Sequence, residues 1–198
     1  MEYTLRIHSL LTALFVGLTT LSANAQASGH VYLLKGFAGI FSTGLDTLDE
    51  KLVQRGITAT VHSYGDYKGL ATEAAHLEKI GKGPIVIIGH SLGAEAAIYM
   101  AEKMKTAGAP VALVVTFGPN EHLMAPSNVA EVINYYQNGA MVSKGPGFKG
   151  TISNVNLDAA SDINHFNIEK INRLHAKVVA KIEMIVRRGH IGWTSPTQ

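Results

Sequence analysis

Two hydrophobic periods alternate along this chain. Near-continuous apolar runs at residues 30–35, 85–88 and 111–117 read as strands buried on both faces. Residues 57–64 and 129–137 are β-branched or alternating and read as further strands, and 151–157 as a weaker edge strand. Between them the period lengthens. From Thr43 the apolar positions Leu45, Leu48, Leu52 and Val53 fall at three-to-four spacing, with Arg55-Gly56 as the stop. Residues 67–80 carry Leu70, Ala74, Leu77 and Ile80 on one stripe, and 92–106 form an alanine-rich helix. A long closing helix is expected over 165–186, with Ile168, Ile171, Leu174, Val178, Val179, Ile182 and Ile185 on its apolar face. Residues 138–150, with four glycines and Pro146, and residues 158–164 read as loops. Strand and helix in alternation, with strands apolar on both faces, predict an α/β fold: a mostly parallel sheet with helices on both faces.

The beginning of the chain follows neither period. Arg6 and the amino group outweigh Glu2; residues 10–21 are uncharged and apolar; and Ala23-Asn24-Ala25 supplies an A-x-A cleavage site. These features predict a secretory signal peptide over residues 1–25, too short to span a bilayer comfortably. The mature chain is then exported, periplasmic or secreted, with an α/β domain over 26–187, a flexible tail over 188–198, and no stable membrane insertion after cleavage. At 198 residues, with 46% hydrophobic and 16% charged positions, the composition is that of one globular domain. A net charge of +2 without a basic run gives no reason to expect a nucleic-acid partner. The absence of cysteine excludes disulfides, a thiol nucleophile and thiolate metal sites. No H-E-x-x-H or similar metal-ligand spacing appears, so a metal is not expected.

The chemistry concentrates at Gly89-His90-Ser91-Leu92-Gly93. A G-x-S-x-G match means little alone, but here a buried strand precedes it and a helix follows. In that context Ser91 sits at a strained strand-to-helix turn with its hydroxyl held clear. A serine nucleophile needs a base, an orienting carboxylate and two oxyanion donors. The expected order in the chain is serine, acid, histidine. His165 is the candidate base. His30, His62 and His76 precede the serine; His90 adjoins it with its side chain turned elsewhere; His122, His175 and His190 lie in a loop, a helix and the tail. The oxyanion donors are expected to be the backbone N–H groups of Leu92 and of Phe37, in the glycine-rich loop after the first strand. For the acid, Glu121 is the first choice, with Asp158 and Asp162 as alternatives.

Together these residues resemble the α/β-hydrolase superfamily, most closely its small bacterial secreted lipase/esterase or thioesterase-like members. The likeness spans most of residues 30–187, including Lys35-Gly36-Phe37-Ala38-Gly39, Asn134-Tyr135-Tyr136-Gln137 and Pro146-Gly147-Phe148, and Val114 to Pro119 is similar to a strand end of class 3 lipases. The resemblance implies a minimal fold without a large cap domain, a small-molecule or lipid-like acyl substrate, no cofactor, and ester or thioester cleavage through an acyl-serine, with Ser91 as nucleophile and His165 as base. An acyltransferase would share that intermediate. The chain departs from the pattern at two positions where related sequences carry aspartate, having Gly118 and Asn138 instead. That substitution leaves the acid unassigned and keeps open an alternative, a non-catalytic binding protein on a hydrolase scaffold.

Overall fold

A computed structural model describes residues 29–37 and 42–189. The expected signal peptide and residues 190–198 of the expected tail lie outside the described residues. The elements run β1 (His30–Lys35), α1 (Thr43–Val53), β2 (Thr58–Ser63), α2 (Tyr67–Lys79), β3 (Ile85–His90), α3 (Leu92–Thr106), β4 (Leu113–Phe117), β5 (Leu123–Ala125), β6 (Glu131–Tyr136), β7 (Val142–Lys144), β8 (Thr151–Asn156) and α4 (Asn172–Gly189). Six strands form one parallel sheet in the order β2-β1-β3-β4-β6-β8, and β5 pairs with β7 in a small parallel ribbon beside it.

The central strands are apolar throughout because both faces are covered. In β3, Ile85 and Ile87 join Leu70, Ala74, Ala97 and Met104 of α2 and α3 on one face. Val86 and Ile88 point the other way, into Leu45, Leu48 and Leu52 of α1 and Leu174, Val178 and Ile182 of α4. Each such side chain, removed from water, contributes roughly 1.5–3 kcal/mol of transfer free energy. The order β2-β1-β3 also sets the place for chemistry. The chain leaves β1 toward one face and β3 toward the other, so their C-terminal ends open a crevice between diverging connections, where ligands bind in open α/β sheets.

Two elements differ from the sequence expectation. The closing helix begins at Asn172, not at residue 165. Residues 164–167 form a turn in which Asn164 Oδ1 accepts from the Phe166 N–H at 2.9 Å and Asn167 Oδ1 accepts from the Asn164 N–H at 2.7 Å. Side-chain amides that satisfy the local backbone in this way compete with a helix. A single 3₁₀ turn, Ile168–Lys170, follows, and it buries Ile168 and Glu169. The second difference is the β5–β7 ribbon, whose strands are three residues each and too short for a periodic signal. Buried Asn134 in β6 ties its neighbourhood to the sheet: its Nδ2 donates to the Ala140 carbonyl at 3.0 Å and to Asn154 Oδ1 at 2.9 Å, while Asn154 Oδ1 also accepts from the Val142 N–H.

Candidate active site

Ser91 joins β3 to α3 at φ 55° and ψ −128°, a conformation that an L-residue holds only when its surroundings over-determine it. The surroundings are close backbone. A Cβ on Gly89 would collide with the Gly93 carbonyl, and a Cβ on Gly93 with the carbonyl of Leu34 in β1. Both motif glycines are therefore steric requirements, and the turn they permit presents the serine at the sheet's C-terminal edge. The Ser91 N–H is fixed by the Phe117 carbonyl at 3.0 Å.

The turn at residues 164–167 carries His165 to this edge, and its Nε2 lies 3.0 Å from Ser91 Oγ. That is hydrogen-bond distance for transfer of the hydroxyl proton to the imidazole. The oxyanion side is equally crowded. A Cβ on Gly36 would sit 2.9 Å from the His90 carbonyl and 3.0 Å from Ser91 Cβ, so the end of β1 packs directly on the serine turn. The Gly36 N–H is spent on Ser42 Oγ at 3.1 Å. Leu92 is the first residue of α3, where helix N–H groups have no intrahelical acceptor.

The carboxylate expectation is corrected. Glu121 Oε1 accepts from the Tyr99 hydroxyl at 3.2 Å, on the outer side of α3. Asp158 Oδ1 accepts from the Asn138 N–H at 2.8 Å. Asp162 is exposed and paired with Nη1 and Nη2 of Arg173, at 2.7 and 3.0 Å, which hold its carboxyl below the usual range. Each has a nearer or better donor than the imidazole, and among the described residues no carboxylate is hydrogen-bonded to His165. Its Nδ1 edge instead faces Gly118, whose added Cβ would lie 3.2 Å from that nitrogen.

Sequence reasoning passed over two polar groups behind the site. The first is a buried chain: the Gly36 N–H donates to Ser42 Oγ, the Ser42 hydroxyl meets His90 Nδ1 at 2.8 Å, and His90 Nε2 donates to the His165 carbonyl at 2.8 Å. Burial pushes His90 down to about 4. Glu169 Oε2 is 3.8 Å from His90 Nε2, an ion-pair distance were both charged, but burial raises the Glu169 carboxyl, so the contact is between groups driven toward their neutral forms. The second is Glu95, one turn after Ser91 and buried among alanines. Its Oε1 accepts from the Asn120 N–H at 2.7 Å and Nδ2 at 3.1 Å, placing Nδ2 3.5 Å from Ser91 Oγ. A glutamate flanked by alanines in the first turn of α3 was the available sequence signal. Among the described residues no cluster of side chains could hold a metal, and no helix is long and apolar enough to cross a membrane.

Neither a protein-family model nor a curated protein matches the sequence. Solved structures do. The esterase domain of a Rhodothermus marinus protein superposes with a TM-score of 0.52 at 17% identity, covering 84% of this chain and 89% of that one. The fold is that of a small α/β-hydrolase, without a large cap. Within that fold, an acetyl xylan esterase matches at TM-score 0.48 and 14% identity, over 80% of this chain and 98% of that one. A type II thioesterase of the yersiniabactin biosynthetic pathway matches at 0.46 and 10%, over 83% and 93%. At one edge of the sheet here, Ser91 meets His165 and the end of β1 packs on the serine turn through Gly36.

Proposed function

We propose that this chain is a serine hydrolase that cleaves an ester, thioester or related acyl bond through an acyl-serine intermediate. The observation that carries the reading is the 3.0 Å separation of His165 Nε2 and Ser91 Oγ on a strained turn at the sheet's C-terminal edge. In this mechanism His165 takes the hydroxyl proton as Oγ attacks the acyl carbon, and the developing oxyanion is held by the N–H groups of Phe37 and Leu92. His165 then returns the proton to the leaving group, and water releases the acyl chain by the same steps in reverse order. Export is part of the proposal, motivated by the signal-like residues 1–25; the N-terminal sequence of the exported chain tests it, and retention of Met1 overturns it.

The decisive experiment is covalent labelling with a fluorophosphonate probe at neutral pH. Labelling that disappears in Ser91→Ala and is strongly slowed in His165→Ala supports the reading, and no serine-dependent labelling overturns it. A second reading, a non-catalytic binding protein on this scaffold, is favoured by one observation: His165 has no carboxylate partner among the described residues. It expects an inert Ser91 in the same assay.

A further inference from the structure

We propose that the cavity beside His165 Nδ1 is a binding site for a small carboxylate, which completes the catalytic apparatus from outside the chain. The inference rests on the serine-hydrolase reading for its consequence, although binding itself can be measured without it. The cavity has a volume of about 180 Å³ and is lined by His165, Gly118, Asn120, Gln137, Asn138 and Ala140. That is many times the roughly 10–15 Å³ needed to admit one water. It lies where the loops after β4 and β6 meet the imidazole. Glycine at 118 keeps it open: a Cβ there would stand 3.2 Å from Nδ1, and the φ of 53° further disfavours a side chain. The wall opposite is fixed, because Asn134 anchors the Ala140 carbonyl and Gln137 Nε2 donates to the Leu157 and Ile163 carbonyls.

The chemistry of the lining selects the ligand. When Nε2 accepts from Ser91, Nδ1 carries the ring proton and must donate outward. Among the described residues it has no hydrogen-bond acceptor, and the side-chain amide of Asn138, which lines the same cavity, has no hydrogen-bond partner among them. An ion with two acceptor oxygens can take the Nδ1–H on one and an amide N–H on the other. Of the nearby carboxylates, Asp158 accepts from the Asn138 N–H and Glu95 Oε1 from Asn120, while Glu95 Oε2 is buried with no partner among the described residues; both oppose an anion while the imidazole is neutral. Attraction grows when His165 becomes an imidazolium during attack, so the bound ion stabilises the transition state more than the resting site. The carboxylate accepts a hydrogen bond, takes no proton and is not consumed. It can be a free ion or a carboxylate on the substrate itself; the recognising chemistry is the same.

The test has two arms with separate readouts. In the first, sodium formate is titrated into Ser91→Ala protein carrying ¹⁵N-labelled histidine, against sodium chloride at equal ionic strength. A saturable shift of the His165 Nδ1 resonance with formate alone supports the site, and no formate-specific shift overturns it. In the second, fluorophosphonate labelling of the wild-type chain is followed across the same titration. The rate should rise saturably by about tenfold or more, a fraction of the roughly 10⁴-fold that loss of the orienting acid costs; equal rates in formate and chloride overturn the proposal. Asn138→Asp places a tethered carboxylate on a near-isosteric side chain that tolerates its φ of 54°, and should raise the basal rate and abolish the formate response. Should that variant not fold, Asn138→Gly, which suits the positive φ and removes the amide donor, should weaken the formate response, and an unchanged response in the folded variant counts against the site. 4-Nitrophenyl monoesters of dicarboxylic acids, compared with neutral esters of equal length, separate the sources: faster, formate-insensitive turnover of the acids assigns the carboxylate to substrate, and equal turnover with a formate response assigns it to a free ion. Absence of labelling in every condition sinks the hydrolase reading alone, because the resonance arm still decides the site.

Discussion

The His90 side chain turns away from its neighbour Ser91 and donates to the main-chain carbonyl of His165 at 2.8 Å. Two residues 75 positions apart are thereby joined behind the Ser91–His165 contact. With Ser42 and Gly36 added, one hydrogen-bonded chain links the end of β1, the residue before Ser91 and the backbone of His165. The distance between Oγ and Nε2 therefore depends on groups buried beneath the site, Ser42 and His90.

Ser42→Ala should cost about 1–3 kcal/mol, because it leaves His90 Nδ1 and the Gly36 N–H without their shared partner in a buried place. Urea unfolding checks the stability. Ser42→Thr, which keeps the hydroxyl, should recover more of the labelling rate at Ser91 than Ser42→Cys does. Equal rates in the two variants would show that Ser42 only fills space.

Gly93→Ala should be among the most damaging single changes in the chain. The added methyl meets the Leu34 carbonyl, part of the β1 backbone and unable to yield without moving the sheet. Overpacking of a well-filled core usually costs about 1–3 kcal/mol, and a backbone collision belongs at or above the top of that range. Gly69→Ala is the control: its Cβ would meet nothing within 4 Å, and it lies in α2, where alanine is the better helix former. Thermal unfolding should order them Gly69→Ala, wild type, Gly93→Ala, from most to least stable.

The sheet was legible because it is built from signals the sequence carries locally. Ile85 to Ile88 can be apolar throughout only if both faces are covered, and Leu45, Leu48 and Leu52 can repeat as they do only on a helix. The serine turn was legible for the same reason, since Gly89 and Gly93 are required by contacts within and next to the motif. His165 was placed correctly beside Ser91 in the chain's order, but on the wrong local structure. The apolar stripe from Ile168 onward reads as helix, whereas Asn164 and Asn167 divert the backbone before it starts. The acid was not legible at all. Whether Glu121 faces Tyr99 or the imidazole depends on how the loop after β4 crosses α3, which no periodicity records. The Ser42–His90–His165 chain has the same character: its members lie on three separate segments, and only the folded sheet brings them together.

Acid should reveal the buried pair through two opposing slopes. His90 falls from 6.5 when unfolded to about 4 in the fold, so the unfolded chain binds the extra proton between these values. Its contribution to stability is present above pH 6.5 and is lost as pH falls toward 4, on the order of 3 kcal/mol in all. Glu169 is raised above 4.5, so the folded chain binds the extra proton and stability falls as pH rises through its window. Glu169→Gln removes the second slope and leaves the first. Denaturant midpoints measured across pH 4–6.5 should therefore climb more steeply in Glu169→Gln than in the wild type; parallel profiles would show that Glu169 does not change protonation there.

Glu121 offers the clearest separation between a triad acid and a bystander, because the two roles differ by orders of magnitude. Losing the carboxylate that orients a catalytic histidine costs roughly 10⁴-fold in turnover. Losing an exposed hydrogen bond to a tyrosine hydroxyl costs a surface residue almost nothing, within about 0.5 kcal/mol of stability. With its carboxylate on Tyr99 at 3.2 Å, Glu121 belongs to the second class. Glu121→Gln should label with fluorophosphonate within about twofold of the wild type, a difference of roughly 0.4 kcal/mol in barrier. Asp158→Asn and Asp162→Asn should also stay far from a 10⁴-fold loss, since their carboxylates serve Asn138 and Arg173. A loss of that size in any one of the three variants, with stability unchanged, would identify that residue as the acid and show that its side chain reaches His165 in solution.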